Sequence, residues 1–167
     1  MTLASHTAGH PHMLNLTDDQ IRFQIIETNK FLKRTVGVKP KFIRFPYGET
    51  NDRVERITRQ FGMQAIYWSK DTEDSMGGTE ADAVQVFKDL GSKSTDIILM
   101  HDTHKRYVHS TMPKILEALK SQQIKSSGMA KCFGLAKYED AYTYYQPHNN
   151  PPTADWNCDN IPIGNPK

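Results

Sequence analysis

His6 and His10 stand four residues apart in the run Ser-His-Thr-Ala-Gly-His-Pro. Two imidazoles at that spacing can be presented by one turn of chain to a divalent metal. Two ligands leave such an ion under-coordinated, so a carboxylate or a third imidazole must come from elsewhere. The pair alone also fits an accidental repeat, because the chain holds 7 histidines. His101, directly after the apolar run Ile97-Ile98-Leu99-Met100 and directly before Asp102, suits proton transfer. It equally suits a structural histidine with its bonds satisfied. Asp71 and Asp74 in Ser-Lys-Asp-Thr-Glu-Asp could do acid–base work, although the commonest use of such residues is to cap a loop. Arg44-Phe-Pro-Tyr47, taken alone, reads as an ordinary strand end with Arg44 in solvent and Tyr47 over the core.

The elements that must position these groups follow from periodicity. Thr17 and Gln20 form a capping box ahead of Ile21, Ile25 and Leu32 at helical spacing, and Gly37 stops that helix. A short strand, Lys41 to Phe45, is broken by Pro46-Tyr47-Gly48. Asn51 caps a second helix with Val54, Ile57 and Phe61 on one face, and Gln64 to Ser69 is a second strand. Thr79 starts a third helix with Val84, Phe87 and Leu90 inward and Gly91 at its end, followed by the strand Ile97 to Met100. Ser110 or Thr111 caps a fourth helix carrying Ile115, Leu116 and Leu119, and a weak strand is expected at Met129 to Phe133. Strands alternating with helices predict parallel βαβ units. If those strands are parallel, Arg44 and Tyr47, Asp71 and Asp74, and His101, Asp102 and His104 all fall at carboxyl ends and converge on one rim with His6 and His10.

Composition narrows the classes. At 167 residues the chain suits one domain with its own core. The expected division is an α/β domain over 1–145 and an irregular tail over 146–167, where Pro, Asn and Gly dominate. The 21 basic and 19 acidic residues are interspersed, which argues against a nucleic-acid groove. No apolar run is long enough for a membrane span, and Met1 to His6 lacks the basic and apolar regions of a secretory signal. Asn15-Leu-Thr17 is a glycosylation sequon, and Cys132 and Cys158 can form one disulfide or remain as thiols.

Read in order, the segments carry more than any one alone. His-Thr-x-x-His-Pro, Arg-Phe-Pro-Tyr-Gly, Trp-Ser-Lys-Asp-Thr-Glu-Asp-Ser and Leu-Met-His-Asp-Thr-His together resemble the polysaccharide deacetylase family, carbohydrate esterase family 4. Ser75, the Asn51-Asp-Arg53 helix start, His101-Asp-Thr-His104 and Val108-His-Ser110 are similar to its fungal chitin deacetylase branch. The resemblance implies a distorted (β/α) barrel that removes acetyl groups from N-acetylglucosamine polymers such as chitin, with zinc or cobalt as cofactor. It implies His6 and His10 as metal ligands, the Tyr47 amide as an oxyanion donor and His101 as the general acid held by Asp74. Leu99 would shape the acetyl pocket and Arg44 would orient the catalytic base. A secreted or cell-wall location also follows from the family.

The family's first motif, Thr-Phe-Asp-Asp, supplies the base aspartate and the metal's carboxylate. It does not occur before His6, where only Met1 to Ser5 stand. The resemblance therefore implies an incomplete barrel without its N-terminal strands, an exposed strand edge that invites association, and weak or absent activity of this chain by itself. Cys132 matches a position that the fungal branch bridges to an N-terminal cysteine, so here it pairs with Cys158 or stays free. The alternative expectation is a non-catalytic carbohydrate-binding or cell-wall-associated module. Oligomeric state is left open.

Overall fold

In a computed structural model, residues 2–133 are described. The expected tail over 146–167, its boundary at 145 and Cys158 lie outside them. The chain divides into two compact units, Met1–Ile66 with the segment from Gly128 onward, and Tyr67–Ser127.

The first unit is built around a short strand. Ser5 donates to Phe42 O at 2.8 Å and accepts from Arg44 N at 2.9 Å, while Gln64 N and Ile66 N donate to Lys41 O and Ile43 O from the opposite side. Strand β1 (Phe42–Ile43) therefore lies between the Ser5 segment and β2 (Gln64–Ala65), parallel to both. Helix α1 (Asp18–Val36) starts at the expected capping box, with Thr17 Oγ1 accepting from Gln20 N and Gln20 Oε1 accepting from Thr17 N. It ends at Gly37 with φ 73°, a left-handed conformation that costs a glycine almost nothing. Asp18 and Asp19 at its start and Lys33 and Arg34 at its end complement the helix dipole.

Helix α2 (Asp52–Gln60) is capped by Asn51, which accepts from Val54 N as its sequence implies. Ile21 and Ile25 of α1 pack with Val54 and Ile57 of α2, Ile43 and Phe45 around β1, and Met13, Leu16 and Met63 in one buried cluster. Burial of each such side chain contributes about 1.5–3 kcal/mol. Arg53 ties the start of α2 to the turn ahead of α1, donating to Leu16 O at 2.9 Å, Asp18 Oδ1 at 3.0 Å and Leu14 O at 3.2 Å.

In the second unit β3 (Lys70–Asp71) pairs in parallel with β4 (Ile98–Leu99), and α3 (Glu80–Lys88) packs against α4 (Met112–Ser121). Thr79 caps α3 in a capping box with Asp82. The parallel α/β pairing expected from the element order is present. Among the described residues it makes two two-stranded sheets and no closed barrel.

Four expectations change. The run Gln64 to Ser69 is not one strand: its first residues bond to β1, whereas Ser69 and Lys70 donate to Ile97 O. Neither Ser110 nor Thr111 caps α4, because a wide π-helical turn, Tyr107–Thr111, runs straight into it. Ser110 instead shares its hydroxyl between Arg106 O and Glu80. Leu116 faces solvent and Ala118 takes the inward place. The expected strand at Met129 to Phe133 is a short helix, α5 (Met129–Cys132), with local bonds from Cys132 N to Gly128 O and from Phe133 N to Met129 O.

The loop bearing the first two histidines is held by a side chain from α1. Gln24, fully buried beside Ile21 and Ile25, accepts through Oε1 from Ala8 N at 2.9 Å and Gly9 N at 2.8 Å. Gln24→Leu keeps the volume and strips both amides of their acceptor, and the expected loss is about 2–3 kcal/mol of unfolding free energy in urea. A loss below about 0.5 kcal/mol would show that water replaces Gln24 at no cost.

Candidate active site

The first unit gathers His6, His10, Arg44 and Tyr47. His6 follows Ser5, so the bridge to β1 sets its ring beside the end of that strand, where Nδ1 lies 2.6 Å from Arg44 O. A carbonyl oxygen only accepts, so Nδ1 carries the proton and Nε2 is the ring nitrogen with the lone pair. A ligating imidazole is commonly oriented by a carbonyl in this way. The His10 ring stands edge-on to His6, with centroids 4.8 Å apart and an interplanar angle of 75°.

The intervening loop is strained. Thr7 and His10 both take positive φ, at 67° and 51°, and such conformations persist only when surrounding contacts over-determine them. Here those contacts are the two bonds to Gln24 and a bond from His10 N to Thr7 Oγ1 at 3.1 Å.

Tyr47 sits in the tight turn Pro46–Gly48 with φ 58°. The turn is closed by bonds from Gly48 N to Phe45 O and from Glu49 N to Pro46 O. Its phenol ring does not cover the core: it is exposed, edge-on to His10 at 4.7 Å and flat against His12 at 4.0 Å. Arg44 takes part through its backbone carbonyl, as the anchor of His6.

The second unit pairs Asp74 with His101. Asp74 accepts from His101 N through Oδ2 at 2.6 Å and from His101 Nδ1 through Oδ1 at 2.8 Å, and its side chain is fully buried. Burial pushes the Asp74 carboxyl up, yet the ring and backbone bonds from His101, with the attraction of its charge, more than offset this and hold it below the usual carboxylate range.

The loop that carries Asp74 is fixed at both ends. Thr72 N and Thr72 Oγ1 both donate to Leu99 O, and Gly78 packs so tightly that a Cβ there would sit 2.8 Å from Glu73 O and 2.9 Å from Thr72 O. The hydroxyl of buried Tyr107 and the guanidinium of Arg106 both donate to Gly78 O. Leu99, two residues before His101, is buried. Asp71 is spent inside its own loop, accepting from Glu73 N at 2.8 Å, while Asp102 and His104 are exposed.

Three residues of this arrangement escape a reading of the sequence. Gln24 has one signal, a polar residue on the buried stripe of α1. His12 and Glu49, joined by a 2.9 Å bond from Nδ1 to Oε2, have none, because their partnership depends on the turn around Tyr47. Among the described residues, no three His, Cys, Asp or Glu side chains converge on a point that could hold a metal. His6 and His10 are two donors of a suitable type, and among the described residues no third joins them.

The family model for polysaccharide deacetylase matches residues 1–66. A chitin deacetylase of Amylomyces rouxii is 34% identical over 131 residues, which span 71% of this chain and 31% of that protein. Among solved structures, a family 4 carbohydrate esterase from Streptomyces lividans, in complex with acetate, superposes with a TM-score of 0.72 at 29% identity, covering 77% of this chain and 66% of that one. The chitin deacetylase of Colletotrichum lindemuthianum superposes with a TM-score of 0.75 at 24% identity, covering 89% and 67%, a likeness of fold. The chain spans half or less of the length of the first curated relatives it matches. The family model, the relatives and the fold agree, and the chain belongs to the polysaccharide deacetylase family.

Proposed function

We propose that this chain supplies the imidazole, oxyanion and proton-donor parts of a hydrolytic N-deacetylation of N-acetylglucosamine polymers, chitin foremost. The observation that carries the reading is the anchored His6 ring, its tautomer set by Arg44 O, with His10 edge-on beside it. In this reading His6 and His10 are two ligands of zinc or cobalt, which when bound polarises the acetamide carbonyl and activates water. The Tyr47 amide, fixed in its left-handed turn, donates to the developing oxyanion. Leu99 walls the acetyl pocket. His101 gives its proton to the departing amine while Asp74 holds the ring through Nδ1, leaving Nε2 as the donating nitrogen. Arg44 would orient the catalytic base that the family's Thr-Phe-Asp-Asp motif supplies. A polymer substrate of this kind places the work outside the cell or at its wall.

No Thr-Phe-Asp-Asp run occurs in these 167 residues. In this reading the polypeptide by itself holds a metal weakly, and among the described residues no carboxylate is positioned beside His6 and His10 to take the proton of the attacking water. Chitin oligomers incubated with it and excess zinc or cobalt should release acetate barely above background, and clear metal-dependent turnover would overturn the claim of inactivity. Among the described residues no third donor converges on His6 and His10, which favours a second reading, a sugar-binding module without chemistry. Chitin oligomers that bind but whose affinity ignores zinc would favour it over the first.

Asp74 gives a separate pH signature. Its folded pKa is lowered, so the stability it contributes is present above the unfolded value, near pH 4, and is lost as pH falls through the lower folded value. Asp74→Asn should cost about 2 kcal/mol near neutrality, with the gap to the parent closing in acid. Unfolding curves from pH 7 down to pH 3 measure this, and a gap that does not change with pH would exclude the charged pair as its cause.

A further inference from the structure

His6 and His10 are oriented by different means. The His6 ring is held by a hydrogen bond to Arg44 O. The His10 ring is exposed, and among the described residues it makes two edge contacts and no hydrogen bond: His6 at 4.8 Å and 75°, and Tyr47 at 4.7 Å and 74°. A ligating imidazole normally needs a partner that fixes its rotation, so the Tyr47 ring is the group available to do this for His10.

The Tyr47 ring is itself secured. His12 lies flat on it, with centroids 4.0 Å apart and planes 7° from parallel. His12 Nδ1 donates to Glu49 Oε2 at 2.9 Å, and Glu49 stands two residues beyond Tyr47. His12 therefore grips both the ring and the chain just past it, across a turn whose φ of 58° at Tyr47 needs outside support. His6, His10, Tyr47 and His12 form a ladder of four rings. It is tied to the fold at one end by a backbone carbonyl and at the other by a carboxylate.

We propose that His12, held by Glu49, is a positioning residue that fixes the Tyr47 ring, and that this ring sets the orientation in which His10 joins His6 on a divalent cation. The inference rests on the reading of His6 and His10 as metal ligands, and one arm of its test stands apart from that reading. In the metal-free chain, nuclear Overhauser contacts are expected between the ring protons of Tyr47 and those of both His10 and His12. His12→Ala should lose the contact between Tyr47 and His10 and weaken zinc binding, followed by competition with a chromophoric chelator, by about tenfold. His12→Phe, which keeps a flat ring but not the bond to Glu49, should retain much of the contact and bind zinc within about threefold of the parent. A general loss of fold would remove both together, so recovery in the Phe variant separates positioning from stability. Glu49→Ala leaves the stack and removes its tether, and serves where His12→Ala does not fold: a partial loss of both signals is expected.

An unchanged Tyr47–His10 contact and unchanged zinc affinity in His12→Ala would overturn the proposal, as would a His12→Phe variant no better than His12→Ala. His10→Ala distinguishes the two levels. If it leaves zinc affinity unchanged, the ligand reading fails, while the contacts in the metal-free chain still decide whether His12 orients Tyr47 and His10.

Discussion

The hydrogen bonding of β1 on both of its edges is the constraint on which the first unit depends. Ser5 docks on one side and Gln64 to Ile66 on the other. A strand of two residues has little stability of its own. Its pairing holds because Phe42 and Ile43 are buried, Ile43 among Ile21, Ile25, Val54 and Ile57 of the flanking helices. Once Ser5 is fixed, His6 must emerge beside Arg44, whose carbonyl receives its Nδ1–H. The placement of a chemically useful side chain is thus a by-product of how the ladder ends. The same ladder fixes where β1 gives way to the Pro46–Gly48 turn, and so where Tyr47 stands.

Much of this was legible from residue types. The capping residues Thr17, Asn51 and Thr79 all accept the bonds their positions imply, because an N-cap is a local interaction completed within three residues. The alternation of helix and parallel strand was legible for a similar reason, since it rests on periodicity. Strand ends were not. The run Gln64 to Ser69 has uniform β character, yet two different partners divide it, and partner choice is a long-range property. Met129 to Phe133 misled in the same direction: its bonds close locally, as a helical turn.

The site shows the same division. The family resemblance pairs Asp74 with His101, 27 residues apart, and the structure joins them by two hydrogen bonds. Gln24, His12 and Glu49 carry no comparable signature. Each acts on a loop held in strained conformations at Thr7, His10 and Tyr47, and sequence does not announce strain in residues other than glycine. Backbone strain, however, has to be opposed by something, so the positive φ values point directly to the side chains that oppose it. The loop geometry and its supports are one feature seen from two sides.

The grip of Asp74 on His101 has a kinetic meaning. Because one carboxylate takes both the backbone N–H and the ring Nδ1 of the same residue, it closes a small ring that locks χ1 and χ2 of His101 together. An imidazole free to rotate would spend most encounters with its other edge toward the reacting atom, and finding the right rotamer would then enter the activation entropy. Here that search is completed during folding. In the proposed reaction every encounter would meet the same nitrogen, and a proton passed from it would travel in one fixed direction.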